Sequence, residues 1–411
     1  MKRVLVVGAG ASGLMAAGRA ASLGAEVYLL EKMKRPGLKL RITGKGKCNL
    51  TNIAEMDAFL AQFGRNGRFL RSAFSAFFSR ELMEFFAGRG VPLEIQRGGR
   101  VFPASGSAPE IAAVLRSWCR EEGAELKLNC PVDSLLVESR EAKGVMTSLA
   151  GKIKADSVIC AMGGASYPAT GSSGDGFVIA QSVGHTIQAI RPALVPLEID
   201  GFFCSRLAGL NLVNVRVSMF VNGRKKQEEF GELAFMDFGV SGPTVLRLSG
   251  DAADALESGH RVELSIDLKP ALDTGKLEAR LLRDLGSRGT ETLASILRGL
   301  LPRELVPVCL EQASVAPEVI GSQVKSGTRK RIRSWLKDFR FNVSGTRPLK
   351  EAIITAGGVS LKEINPATME SRIVKNLYIA GETLDLHANT GGYNLQAAFS
   401  TGWLAGESAA G

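Results

Sequence analysis

A chain of 411 residues is too long for one simple core and predicts two or three domains. Its 45% hydrophobic and 22% charged composition is that of a globular protein, and no uninterrupted apolar run is long enough to span a bilayer. The net charge of +10 would suit a polyanion as well as small anionic ligands, so it separates neither. The apolar run 4–7 meets glycine too early for a signal peptide, so a cytoplasmic location without membrane contact is expected. Six scattered cysteines without a C-x-x-C pair, and three distant histidines, predict neither disulfides nor a metal site.

Residues 4–7 (Val-Leu-Val-Val) read as a buried strand, 14–23 as a helix and 27–30 as a second strand. Between strand and helix lie Gly8, Gly10, Ala11, Ser12 and Gly13, and Glu31 closes the second strand. This is the context a G-x-G-x-x-G pattern needs in order to mean a dinucleotide site. Gly8 permits the tight turn, Gly10 lets a diphosphate approach the backbone, and Gly13 lets helix and strand pack closely. The helix N-terminus offers free N–H groups to the phosphates. Glu31 would accept hydrogen bonds from an adenosine ribose, which argues against a 2′-phosphate there.

Lys32 opens a basic loop that runs through Arg41, Thr43, Gly44, Lys45, Gly46, Lys47, Cys48 and Asn49. Such a loop can lay N–H groups and positive charge along a diphosphate and then a flavin edge, which fits FAD better than NAD. A solvated basic loop is the plain alternative. Residues 69–86 place Phe74, Phe77, Phe78, Leu82, Phe85 and Phe86 at helical period, and core packing explains that stripe better than a substrate wall. Around Gly98-Gly99 a hairpin is expected, then a helix over 111–122, a strand over 125–132 and an antiparallel meander to 146. A buried strand over 156–161 ends at Gly163-Gly164, where a doubly wound sheet admits ligands.

From 191 the pattern becomes short alternating strands with an Asn222-Gly223 turn, and 272–336 reads as broken helices. Basic residues between 325 and 340 interleave with Trp335, Phe339 and Phe341. Nucleic-acid contact is one reading, and a solvated helix face over core aromatics is the favoured one. The chain then returns to α/β character. A strand over 377–380 ends at Gly381-Glu382, Asp385 follows, and Gly391, Gly392, Asn394 and Leu395 open a small-residue helix. A second glycine-initiated helix could stabilise negative charge on a flavin's pyrimidine edge, while Asp385 meets a ribityl hydroxyl or the diphosphate's solvent shell.

With these motifs in place the chain resembles the BaiN-like flavoproteins. Members of that group carry the names 3-dehydro-bile-acid Δ4,6-reductase, aminoacetone oxidase or NAD(P)/FAD-dependent oxidoreductase. The resemblance runs through 8–13, 43–52, 99–103, 163–176, 355–359 and 381–406. It implies an α/β fold: a glutathione-reductase-like, FAD-binding Rossmann domain with inserted β-barrel-like and helical domains. The FAD domain would comprise 1–190 and 347–411, the β insert 191–270 and the helical insert 271–346. By the same resemblance 8–13 and Glu31 hold the ADP half and Val132 offers its backbone to the adenine. Gly381, Glu382 and 391–395 would hold the ribityl chain and isoalloxazine. Lys45 and Lys47 stand where the family commonly has a glycine and an arginine.

The expected activity is FAD-dependent hydride transfer through flavin N5 to or from a small organic substrate such as an enone, with NADH or NADPH as a visiting donor. Oxidation of an amine or amino ketone by oxygen is the enzymatic alternative. A flavin-bearing nucleic-acid-binding protein is the rival of another class. No catalytic acid or base is assigned, the oligomeric state is open, and Cys48 reads as a structural thiol before a redox-active one.

Overall fold

Strand β1 (Arg3–Val7) is the middle of a five-stranded sheet whose order is Leu377–Ile379, Ser157–Cys160, β1, β2 (Glu26–Leu30) and Glu125–Lys127. All four pairings are parallel, with Leu5 between Val158 and Tyr28. Val4, Leu5 and Val6 are fully buried, as a run covered on both faces must be. The structure is a computed structural model that describes residues 1–201 and 203–411. It falls into two units, Met1–Ala193 with Leu349–Gly411, and Leu194–Pro348.

In the first unit, helix α1 (Ala11–Ser22) buries Leu14, Met15, Ala16 and Ala17. Its neighbours come close only because glycines stand at the contacts. A Cβ on Gly18 would lie 2.3 Å from the Trp118 ring of helix Ala108–Glu121. On the C-terminal helix, Tyr393–Ala410, a Cβ at Gly402 or Gly406 would lie 2.3 or 2.4 Å from the Ser12 or Ala16 carbonyl oxygen. Arg19 adds an ion pair to Glu407 at 2.9 Å and stacks over Trp403, 4.4 Å from the ring centre.

The aromatic stretch 69–86 is not one helix. Helix Arg71–Ala76 stops, Phe77 is extended (φ −157°, ψ 101°), and a new helix, Ser79–Ala87, begins. One distant and one local partner satisfy the backbone groups that the break frees. Ser400 Oγ donates to the freed Phe77 carbonyl at 2.6 Å, and Glu81 accepts the Phe78 N–H at 3.0 Å. The apolar face survives as core: Phe59 meets Phe74 edge-on at 5.1 Å, and Phe77 stacks on Trp403 at 4.3 Å. The strand expected over 125–132 also divides. It ends at Lys127, Asn129 turns through a left-handed conformation (φ 52°), and Val132–Glu138 starts the meander with Glu141–Thr147 and Gly151–Lys154.

His185 lies in the first unit, 3% exposed, with Nδ1 3.0 Å from Glu363 Oε2 and Nε2 2.9 Å from Ser371 Oγ. Ser371 Oγ already accepts the Ile373 and Val374 N–H groups, so its own proton goes to Nε2 and Nδ1–H faces Glu363. These four hydrogen bonds pin the segment that leads into the strand Leu377–Ile379.

In the second unit, six strands close a barrel: Leu197–Ile199, Gly239–Ser241, Arg224–Phe235, Asn211–Val221, Val262–Asp267 and Phe339–Thr346, in spatial order. Alternation shows in Val215, Val217 and Met219, all buried. Segment 271–346 is therefore not wholly helical. Four helices (Thr274–Ser287, Leu293–Leu297, Leu305–Gln312, Ser326–Lys337) precede the strand that joins Val262–Asp267. That strand needs long-range pairing which local periodicity does not reveal. No helix among the described residues is long and apolar enough to cross a membrane.

Two outcomes follow from these contacts. A Gly406→Val chain should lose about 1–3 kcal/mol or more in urea unfolding, because its side chain would enter the α1 backbone. Burial lowers the His185 pKa below its ordinary 6.5 against the opposing pull of Glu363. The unfolded chain thus takes up a proton that the fold refuses, and stability should fall as pH drops from 6.5 through the depressed folded value. Unfolding curves of His185→Gln across that window should lack this part of the slope.

Candidate functional site

The sheet's strand order reverses at β1: the chain passes to β2 on one side and later fills Ser157–Cys160 on the other. The crevice at such a switch point, beyond the carboxyl ends of the strands, is where α/β sheets take ligands. Gly8 turns the chain there with φ +96°, and its Cβ would meet the Ala161 carbonyl oxygen at 2.5 Å. A Cβ on Gly13 would lie 1.8 Å from the Gly8 oxygen, so the helix can start this close only with glycine. Gly10 is different. An added Cβ there meets nothing within 4 Å, and no side chain caps the α1 N-terminus that begins beside it. An open face beside an uncapped helix start is the shape an anionic group would complete.

Glu31, 9% exposed, spans the turn. Oε2 accepts the Ala9 N–H and Oε1 the Met33 N–H, both at 2.8 Å. Its carboxylate shapes the glycine turn as well as standing at the expected ribose position. The Glu31 carbonyl accepts the Cys130 N–H at 2.9 Å, which brings Val132 within two residues of it. Lys32 pairs with Asp175 at 2.6 Å and with Ser173. Burial would raise the Asp175 carboxyl, but the bonds from Lys32 and Ser173 outweigh it and hold the group below its usual range.

The loop after β2 is tied to the glycine turn by the Gly37 N–H donating to the Ala9 carbonyl at 2.8 Å. Gly44, Lys45, Gly46 and Cys48 all have positive φ (58°, 57°, 86° and 59°). Lys45 thus adopts a conformation that costs a non-glycine residue about 1–2 kcal/mol, and its side chain is exposed. Arg41 Nε is buried without a partner, an orphan donor within this cationic loop. Cys48 is fully buried, and burial pushes its thiol up to about 12 while Thr43 pulls weakly the other way. A thiol so far from ionisation is structural.

The late segment closes on both regions. A Cβ at Gly381 (φ +71°) would lie 2.4 Å from Ser12 Oγ, and one at Gly392 (φ +96°) 2.3 Å from the Thr51 carbonyl oxygen. In the orientation its neighbours require, Asn49 donates to the Thr51 and Val101 carbonyls and accepts the Gly392 N–H at 2.9 Å. The Gly163 carbonyl accepts from Thr383 Oγ1 at 3.2 Å, and that of Gly391 from Asn52 Nδ2 at 3.1 Å. Asp385 is engaged by Asn66 Nδ2. Asn394 turns to the 388–389 backbone, where it buttresses the loop, and Leu395 is half-buried beside it.

Four residues that sequence reading left out join these parts. Lys39 Nζ lies 2.6 Å from Glu382 Oε2 and 2.7 Å from Ser166 Oγ, each of the two charged side chains being 21% exposed. Ser166 Oγ is 3.2 Å from Glu382 Oε1, and Thr355 Oγ1 accepts the N–H groups of Ala165 and Ser166. Asp175 is the fourth. The two partners of Lys39 are 127 and 343 residues away in sequence, so no local pattern marks it as their hub.

These features suit an extended dinucleotide: an open glycine face at an uncapped helix, an orphan guanidinium nitrogen, and a second glycine-opened helix bonded to the loop. The fold that carries them is a Rossmann-type α/β fold with a barrel inserted in the sequence. The HI0933-like protein Rossmann domain matches residues 2–408, and the chain belongs to that family. It is 32% identical to the 3-dehydro-bile acid delta(4,6)-reductase of Clostridium scindens, over 100% of this chain and 99% of that one. It is 31% identical to the ribosomal RNA dihydrouridine synthase of Haemophilus influenzae, over 97% and 96% of the two chains. The fold is shared with 3-ketosteroid delta1-dehydrogenase from Sterolibacterium denitrificans, at TM-score 0.55 and 15% identity with both chains wholly covered.

The two turn glycines should separate when mutated. Gly10→Ala should leave apoprotein stability within about 0.5 kcal/mol while weakening FAD binding in a fluorescence titration. Gly13→Ala should cost about 1–3 kcal/mol of stability or more, seen in urea unfolding without any cofactor.

Proposed function

We propose that the chain reduces a carbon–carbon double bond conjugated to a carbonyl. The observation that carries this reading is the shared chemistry of two differently named groups of full-length relatives. A Δ4,6 unsaturated 3-oxo steroid has its double bonds in conjugation with the ketone. Dihydrouridine is uridine saturated at the bond conjugated with its C4 carbonyl. One hydride and one proton saturate either bond.

FAD, when bound, supplies hydride chemistry at N5. Gly10 and the α1 N-terminus would receive its diphosphate, Glu31 the adenosine ribose, and Arg41 with the 43–49 loop the neighbouring charge. Val132 would meet the adenine, Glu382 and Asp385 the ribityl chain, and Gly391, Gly392 and Leu395 the ring edge. The N-terminus of helix Tyr393–Ala410 would favour negative charge there. With one G-x-G-x-x-G in the sequence, NADH or NADPH would act as a visiting donor.

A small enone is the substrate this reading favours, and a uracil base in ribosomal RNA is the second. The net charge of +10 suits the second without deciding for it. Within 325–341, Arg329 and Arg333 both pair with Glu278 and Lys337 with Asp267, while Lys325 and Lys330 are exposed without an ion pair among the described residues. Trp335, Phe339 and Phe341 are buried. Lys34, Arg35, Lys45 and Lys47 are exposed, without an ion pair among the described residues, and would face the RNA backbone.

The test is anaerobic spectroscopy of the purified holoprotein. NADH or NADPH should bleach the flavin band, and either a 4-en-3-one steroid or uridine-containing ribosomal RNA should restore it. Bleaching by an amine, with no response to either unsaturated acceptor, would overturn the proposal in favour of an oxidase. A colourless protein that takes up no FAD would overturn it altogether.

A further inference from the structure

Lys39 has no assigned part in cofactor binding, yet its ammonium is the hub of the best-connected polar cluster in the first unit. It lies on the short helix Leu38–Ile42, one turn after Gly37 bonds to the glycine loop. Its two partners are Glu382 Oε2 at 2.6 Å and Ser166 Oγ at 2.7 Å. Glu382 Oε1 also accepts the Thr355 N–H at 2.7 Å, and Thr355 Oγ1 accepts the N–H groups of Ala165 and Ser166 at 2.9 and 3.1 Å. Four separate segments, 38–42, 165–166, 353–355 and 381–383, therefore meet at one ion pair.

The glycines beside the cluster show how tightly it is drawn. A Cβ on Gly164 would fall 2.4 Å from Thr355 Oγ1 and 2.8 Å from Glu382 Oε1. On its other side the Gly381–Thr383 turn rests on Ser12 at the start of α1, through the close approach at Gly381. The pair thus sits between the turn that follows the strand Leu377–Ile379 and the loop that follows Ser157–Cys160. Both leave the sheet at its carboxyl edge.

We propose that Lys39 is a positioning residue for FAD: its ammonium orients the Glu382 carboxylate and holds the Gly381–Thr383 turn in the form that receives the ribityl chain. This rests on the FAD reading of the site. Without Lys39, Glu382 would keep only the Oε1 bonds from the Thr355 N–H and Ser166 Oγ, and Oε2 would draw water into this half-buried cluster, whereas the paired carboxylate presents its remaining lone pairs in a fixed direction. Lys39 acts through Glu382 and needs no contact of its own with the cofactor.

The experiment is FAD titration of apoprotein, followed by quenching of flavin fluorescence, for wild type, Lys39→Met, Glu382→Gln and the double variant. Wild type must bind FAD; if it does not, the cofactor reading fails and this proposal falls with it. Given wild-type binding, Lys39→Met should raise the FAD Kd about tenfold or more, the size expected for losing a hydrogen bond between charged groups. The double variant should be little worse than Glu382→Gln alone, because both changes break one device. Lys39→Arg should recover part of the affinity. Apoprotein thermal melts distinguish a structural role: Lys39→Met loss of affinity that tracks loss of folded protein overturns the proposal. So does a Kd within twofold of wild type, or full additivity of the two changes.

Discussion

Backbone touches backbone where α1 begins, and the rest of the first unit depends on that contact. Gly13 lies against the Gly8 carbonyl, and Gly402 and Gly406 lie against the Ser12 and Ala16 carbonyls. No side chain fits in either gap. The first helix is thereby fixed to the strand before it and to the last helix of the chain. Residues almost four hundred positions apart become one structural element, and the Gly381 turn is carried into place against Ser12. The site is consequently shared between both ends of the chain, with the second unit entering and leaving between them.

Around that contact the polar groups divide by task. Glu31 spends both oxygens on the backbone of the turn, so it shapes the cradle as well as facing the expected ribose. Lys39 and Glu382 tie the segment after β2 to the turn after the strand Leu377–Ile379, which lies on the far side of β1 in the sheet. Arg41 Nε and the open face of Gly10 are left without protein partners. A buried donor left unmade costs about 1–3 kcal/mol, and on the proposed reading the cofactor's diphosphate would offset that cost at Arg41. The six cysteines are all buried and unpaired.

Membership of the HI0933-like family narrows the chemistry further than the fold does. Similar folds serve many reactions, and a structure sharing 15% identity speaks only for the architecture. The full-length relatives act on a steroid acid in one case and on ribosomal RNA in the other. Substrates so unlike in size and charge have in common only the conjugated double bond. On the proposed reading the common scaffold orients a flavin, and what differs is the surface that presents the substrate.

Much of the glycine turn and its setting was legible in the sequence because its elements are local. The glycine turn, the strands around it and Glu31 occupy 31 consecutive residues, and each glycine answers to a steric demand of its immediate neighbours. The late glycine-opened helix was legible for the same reason. The break at Phe77 was not, since it is stabilised by Ser400 and Gln396 on a helix more than 300 residues later. Nor was the barrel strand Phe339–Thr346, whose pairing with Val262–Asp267 spans an entire helical segment. Lys39 looked like one cation among several in a basic loop. Only folding, by bringing Ser166 and Glu382 to its ammonium, made it a hub. Short-range periodicity and steric demand are written in neighbouring residues, whereas ion pairs and strand pairings belong to whichever distant segments the tertiary fold makes adjacent.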